Sequence, residues 1–143
     1  MTTDLKLGII GAGRMGITHF SIANAHDHAE VTGVADPSKL VTTMMGKYTG
    51  VGTYKDYKGL LKGEELDAVL VCTPPAHNPE ILDAVLERRL HAFVEKPFML
   101  KSADGERFAA GFDAARDIAG IIRLGNAQHL AIDLRRRQRN YLI

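Results

Sequence analysis

Apolar residues fall along this chain in two alternating rhythms. Short unbroken runs such as LKLGII and AVLVC are separated by longer stretches in which apolar positions recur every three or four residues. The first rhythm marks buried strands and the second marks helices with one covered face. Strands are predicted at Leu5–Ile10, Glu30–Ala35, Val51–Tyr54, Ala68–Cys72, Ala92–Val94 and Ile121–Leu124. Between them, one helix runs from the turn Gly11–Gly16 to about Ala25, and a second opens at Pro37, a residue suited to a first helical turn. A short helix holds Leu60 and Leu61, and another presents Ile81, Leu82, Val85 and Leu86 on one face. Ser102 caps a fifth helix with Phe108 and Phe112 on one stripe. Asn126 caps a last one, which sets Leu130, Ala131, Leu134, Tyr141 and Leu142 largely opposite the arginines of RRRQR. Strand and helix alternate throughout, as in βαβ units around a parallel sheet.

Composition adds the setting. A chain of 143 residues with 45% apolar content predicts one globular domain, with no repeat or linker to divide it. Such a chain buries roughly two thirds of its unfolded surface and needs neither a disulfide nor a metal to fold. The single cysteine, Cys72, lies in LDAVLVCT and reads as a buried reduced thiol rather than a nucleophile, which suits a reducing compartment. A formal net charge of +1 argues against nucleic acid or an anionic membrane as the main partner. RRRQR reads as a solvated helix face. Neither a signal peptide nor a run near the roughly 20 residues of a membrane span is visible, so a cytoplasmic protein is expected. His26 and His28 lack a third ligand, so no metal site is expected; His91 and His129 read as surface positions, and Met44 and Met45 as helix core.

The chemistry begins at GIIGAGRMG. Gly11, Gly13 and Gly16 form G-x-G-x-x-G directly after a strand and at the opening of a helix. In that setting the first glycine makes the tight turn, the second lets backbone approach a pyrophosphate, and the third lets helix and strand pack closely. The helix start offers unpaired N–H groups to an anion. Asp36, twenty residues after Gly16, ends the second strand, where a carboxylate accepts from both adenosine ribose hydroxyls and repels a 2'-phosphate. NAD is therefore favoured, with NADP possible because Ser38 and Lys39 would welcome a phosphate if the aspartate turned aside. Arg14 either sits over the pyrophosphate or is an exposed helix-start residue. The fold implied is a Rossmann-type doubly wound parallel sheet in three layers, residues 1–125, followed by a helix over 126–143.

Ligands of such sheets lie outside the carboxyl ends of the strands. Two further segments end there. In VCTPPAHNPE the prolines force an extended turn that can present Thr73 and His77 to a cofactor. In HAFVEKPFML an apolar strand gives way to Glu95, Lys96 and Pro97, a pair too costly to bury without partners and so expected at the sheet edge.

Together GAGRMGITH, ADPS, TPPAH and VEKPF, in this order and spacing, resemble the glucose-fructose oxidoreductase and inositol dehydrogenase family, Gfo/Idh/MocA. The resemblance runs from Leu5 to about Ala119 and implies an NAD(P)-dependent oxidoreductase acting on a sugar, inositol or related polyol. It implies that Gly11, Gly13, Arg14 and Met15 hold the pyrophosphate, Asp36 the adenosine ribose, and Thr73, Pro74 and His77 the middle of the cofactor. Glu95 would contact the nicotinamide ribose, and Lys96 would orient substrate and assist proton movement. His19 fits a recurring family histidine, with a packed helix position as the plainer role. Family members resemble a two-domain design, and the expectation here is that the second, substrate domain is absent, that residues 126–143 begin the connection to it, and that the chain alone is catalytically incomplete. A second function consistent with the motifs is a non-catalytic NAD(H)-binding module or a product acting with a partner chain, and a methyltransferase with a similar glycine turn is a weaker third because TPPAH and EKP have no obvious task in it; apolar surface left by a missing half would favour a homo-oligomer.

Overall fold

The computed structural model describes residues 5–114 and 122–124. Strands β1 (Leu5–Ile10), β2 (Ala29–Ala35), β3 (Gly52–Tyr54), β4 (Ala68–Val71), β5 (His91–Val94) and β6 (Ile122–Leu124) form one sheet in the order β3-β2-β1-β4-β5-β6. Every adjacent pair is parallel. The chain winds outward from β1 to β3, then returns to the middle and winds the other way from β4. The resulting switch point lies beyond the carboxyl ends of β1 and β4, where a doubly wound sheet opens a crevice.

Period-two alternation divides the central strands between two cores. Ile9, Leu70 and Phe93 join Phe20 and Ala23 on the face covered by α1 (Arg14–Asn24). Ile10, Val69, Val71, Ala92 and Val94 face the other way. They meet Leu60 and Leu61 of α3 (Tyr57–Gly63), Ile81, Leu82 and Val85 of α4 (Asn78–Glu87), and Phe108 of α5 (Ser102–Ala114). Because both faces are covered, the strands read as continuous apolar runs rather than alternating ones.

Helix α2 (Lys39–Thr49) departs from the sequence reading. It starts two residues after Pro37, because Ser38 supplies the cap: its hydroxyl accepts from Val41 N at 3.4 Å. Gly50, with φ 74°, ends it in the left-handed conformation. No residue of α2 is fully buried. Val41 and Met45 pack partly against the sheet, while Met44 lies with Leu40 and Tyr48 on an outward i, i+4, i+8 stripe and is exposed, contrary to the core position expected for it. Ser102 is likewise the first helical residue rather than the cap, since Gly105 N already bonds Lys101 O. The expected helix over 126–143, with RRRQR and His129, and the Phe112 side chain lie outside the described residues. Among the described residues no helix is long and apolar enough to cross a membrane, and no cluster of three or more ligating side chains could hold a metal.

Candidate functional site

The loop after β1 is shaped by backbone contact. Gly11 holds φ at 91° and donates its N–H to Ala35 O at 2.8 Å. A Cβ there would meet the Cys72 carbonyl at 2.9 Å, and one on Gly16 would collide with the Gly11 carbonyl oxygen. Gly13 differs, because among the described residues nothing lies within 4 Å of where its Cβ would be. It is the N-cap of α1 and brings no side chain, and the first bond of the helix runs from Ile17 N to Gly13 O. The N–H groups of Arg14, Met15 and Gly16 thus have no acceptor within the helix, which leaves the positive end of the helix dipole open to an anion. Arg14 and Met15 are exposed at this first turn.

Asp36 stands at the tip of β2 with both oxygens engaged. Oδ2 accepts from Ala12 N and Oδ1 from Ser38 N, each at 2.8 Å. The carboxylate therefore closes over the glycine loop instead of turning aside. Ser38 is committed to capping α2, and Lys39 is exposed.

Beyond β4, Pro74 is extended with φ −55° and ψ 140°, and residues Pro75–His77 make a single 3-10 turn into α4. His77 projects outward, its side chain 61% exposed and Nδ1 4.0 Å from Glu80. Its neighbour Asn78 turns inward and is fully buried. Thr73 Oγ1 donates to Asn78 Oδ1 at 2.8 Å, and Asn78 Nδ2 donates to Phe98 O at 2.7 Å. One amide thus ties the segment after β4 to the segment after β5. Asn78→Leu fills the space but strands the Phe98 carbonyl and the Thr73 hydroxyl, and should cost about 1–3 kcal/mol. Urea unfolding of the variant beside the parent checks this; a cost below ~0.5 kcal/mol would mean that water replaces the amide.

The segment after β5 separates the two charges expected together at the edge, because among the described residues Glu95 gains a buried partner and Lys96 does not. Glu95 follows Phe93 onto the α1 face, is 8% exposed, and lies with Oε1 2.6 Å from Nε2 of the fully buried His19. Lys96 is exposed at the sheet edge, and the Lys96–Pro97 bond is cis. Cys72, partly buried between these strands, has its thiol pushed up to about 12 by burial and secondarily by the Glu95 charge, which keeps it protonated.

The structure thus brings Gly11, Gly13, Arg14, Met15, Asp36, Thr73, Pro74, Glu95 and Lys96 to the carboxyl edge of one sheet, with His77 on its outer rim. Asn78 was not legible as part of the site. Its one sequence signal was a polar residue at a helix start, three residues after Pro75 and just before Pro79. His19 had a stronger signal: Gly16, His19, Phe20 and Ala23 form an i, i+3, i+4, i+7 buried stripe, in which a histidine needs a partner.

Residues 5–122 match the family model described as "Oxidoreductase family, NAD-binding Rossmann fold". The chain is 33% identical over 104 residues to the myo-inositol 2-dehydrogenase of Thermotoga maritima, a match covering 72% of this chain and 31% of that protein. It is 29% identical over 107 residues to the rhizopine catabolism protein MocA of Rhizobium meliloti, covering 75% and 33% respectively. Among solved structures, a probable dehydrogenase from Thermotoga maritima superposes with a TM-score of 0.78 at 31% identity, over 85% of this chain and 36% of that one. The apo scyllo-inositol dehydrogenase of Lactobacillus casei shares the fold, with a TM-score of 0.79 at 24% identity over 87% of this chain and 37% of that one. The chain spans about a third of the length of the curated relatives it matches.

Proposed function

The chain belongs to the Gfo/Idh/MocA oxidoreductase family and carries its NAD-binding Rossmann fold; from that premise we propose that it binds NAD across the carboxyl edge of the sheet and serves dehydrogenation of a sugar, inositol or related polyol. Relatives named as inositol dehydrogenases support the substrate class. The observation that carries the cofactor reading is the loop itself: an open space over Gly13 and a helix start with no side-chain cap, beside an aspartate already fixed by two backbone donors. These residues fit a dinucleotide.

In this reading the N–H groups at the start of α1 receive the pyrophosphate, with Arg14 and Met15 flanking it. Asp36 accepts from the adenosine ribose hydroxyls on the lone pairs left free by Ala12 and Ser38, and repels a 2'-phosphate. Thr73, Pro74 and His77 line the middle of the site. Glu95 faces the nicotinamide ribose, and Lys96 orients the substrate hydroxyl and holds or takes up its proton at Nζ. NAD, when bound, supplies the hydride chemistry; the chain's part is to bind, orient and manage the proton.

Titration of the 143-residue chain with NADH and NADPH tests the proposal. NADH is expected to bind more tightly than NADPH, and Asp36→Ala to weaken NADH about tenfold or more through loss of charged hydrogen bonds. Oxidation of inositols and aldoses with NAD would then identify the substrate class. Absence of NADH binding would sink the reading; binding without turnover would favour a non-catalytic module.

A further inference from the structure

His19 and Glu95 are 76 residues apart in sequence and share a bond of 2.6 Å in the interior. The imidazole is fully buried, lies edge-on to the Phe93 ring at 5.1 Å and 66°, and its Nδ1 has no hydrogen-bond partner among the described residues. That orphan nitrogen restricts the proton inventory. A protonated Nδ1 would be a buried donor with nothing to receive it, whereas a bare lone pair is the cheaper group to leave unpaired. Two arrangements put a proton there: an imidazolium facing a carboxylate, and a protonated Glu95 donating to the opposite tautomer. With Nδ1 bare, Nε2 carries the proton and Oε1 accepts. The short separation suits an ionised acceptor. Among the described residues, Cys72 feels the Glu95 charge and its thiol is held neutral, while Lys96, next in sequence to Glu95, is exposed.

We propose that His19 is a positioning residue, neutral and protonated on Nε2, that fixes Glu95 as an uncancelled carboxylate at the nicotinamide end of the site and thereby favours the oxidised cofactor, whose nicotinamide ring is cationic, over the reduced one, whose ring is neutral. The cofactor half rests on the NAD reading above. The charge half concerns the free chain alone. An imidazolium partner would have neutralised Glu95 and removed this preference; a neutral donor holds the carboxylate in place and leaves its charge to act on what binds beside it.

Two measurements on the 143-residue chain decide it. Long-range nitrogen–proton correlation of the His19 ring near neutral pH, without nucleotide, should show a protonated Nε2 and an unprotonated Nδ1. A proton on Nδ1 in either form would overturn the charge assignment. Dissociation constants for NAD+ and NADH should then change unequally in Glu95→Gln, with NAD+ weakened about fivefold more than NADH, the size expected of one partly screened charge. His19→Gln keeps a donor and should retain the parental ratio, while His19→Leu should shift it toward that of Glu95→Gln. Should His19→Leu fail to fold, Glu95→Gln and His19→Gln still decide the matter. Equal weakening of both nucleotides would reduce the pair to a structural contact and overturn the proposal. A parent that binds neither nucleotide would strike the NAD reading and the cofactor half together, while the ring nitrogens still decide the charge.

Discussion

Gly16→Ala is expected to disrupt the N-terminal part of the domain, whereas Gly13→Ala, three residues away, is expected to leave the fold alone and abolish tight NAD binding. The difference lies in what a single methyl group would meet. At Gly16 it would enter the Gly11 carbonyl, which is backbone held by the bond from Gly11 N to Ala35 O, so nothing nearby can swing away. Relief requires lifting α1 off β1, which would open the packing of Phe20 and Ala23 on the sheet. A loss of about 3 kcal/mol in urea unfolding is expected. Gly13 has φ −70° and ψ −168°, an extended conformation open to any residue, and free space around its Cβ position. Alanine there should change stability by less than ~1 kcal/mol. It would, however, stand where a pyrophosphate must approach the backbone, and NADH affinity should fall more than about tenfold. Calorimetric binding together with unfolding curves separates the two effects. Unaltered NADH binding by Gly13→Ala would remove the loop from the site.

A second large effect concerns Cys72. Its thiol is raised from 9.0 to about 12, first by burial and then by Glu95. At pH 8 the native chain should hold about a thousandfold less thiolate than the unfolded chain and react with a disulfide reagent correspondingly slowly. The same shift links stability to pH. A group whose pKa is raised by folding contributes stability that is complete below its unfolded value and is lost as pH climbs toward the folded one. Between about pH 9 and 12 the unfolded form ionises first, and stability should decline in that window. Cys72→Ser should flatten this component in urea unfolding at pH 8 and 10.5. Prompt, complete labelling of the native chain at pH 8 would contradict the assignment.

The strands and the glycine turn were legible because each is written locally. β1 has the bounds its apolar run predicts, and β2, β4, β5 and β6 lie within one residue of theirs. Helix starts were less so, since Pro37 and Ser38 compete for the same opening and only the bond to Val41 decides between them. Met44 was misplaced because adjacent positions on α2 face different surroundings: rotating one residue carries a side chain from the sheet to solvent. The site divides the same way. Asp36 and the glycines follow from spacing, but the contacts that orient the edge join residues distant in sequence. Glu95 finds His19 across four intervening strands, and Asn78 reaches Phe98 from the next crossover. No periodicity records such meetings.

The buried amide at Asn78 has a practical consequence for anyone wishing to re-engineer this edge. Because it clasps Thr73 with one end and the Phe98 carbonyl with the other, the two loops travel as one graft. Transplanting the Glu95–Lys96–Pro97 turn into another scaffold, or swapping in a foreign version, would require bringing its distant anchor along.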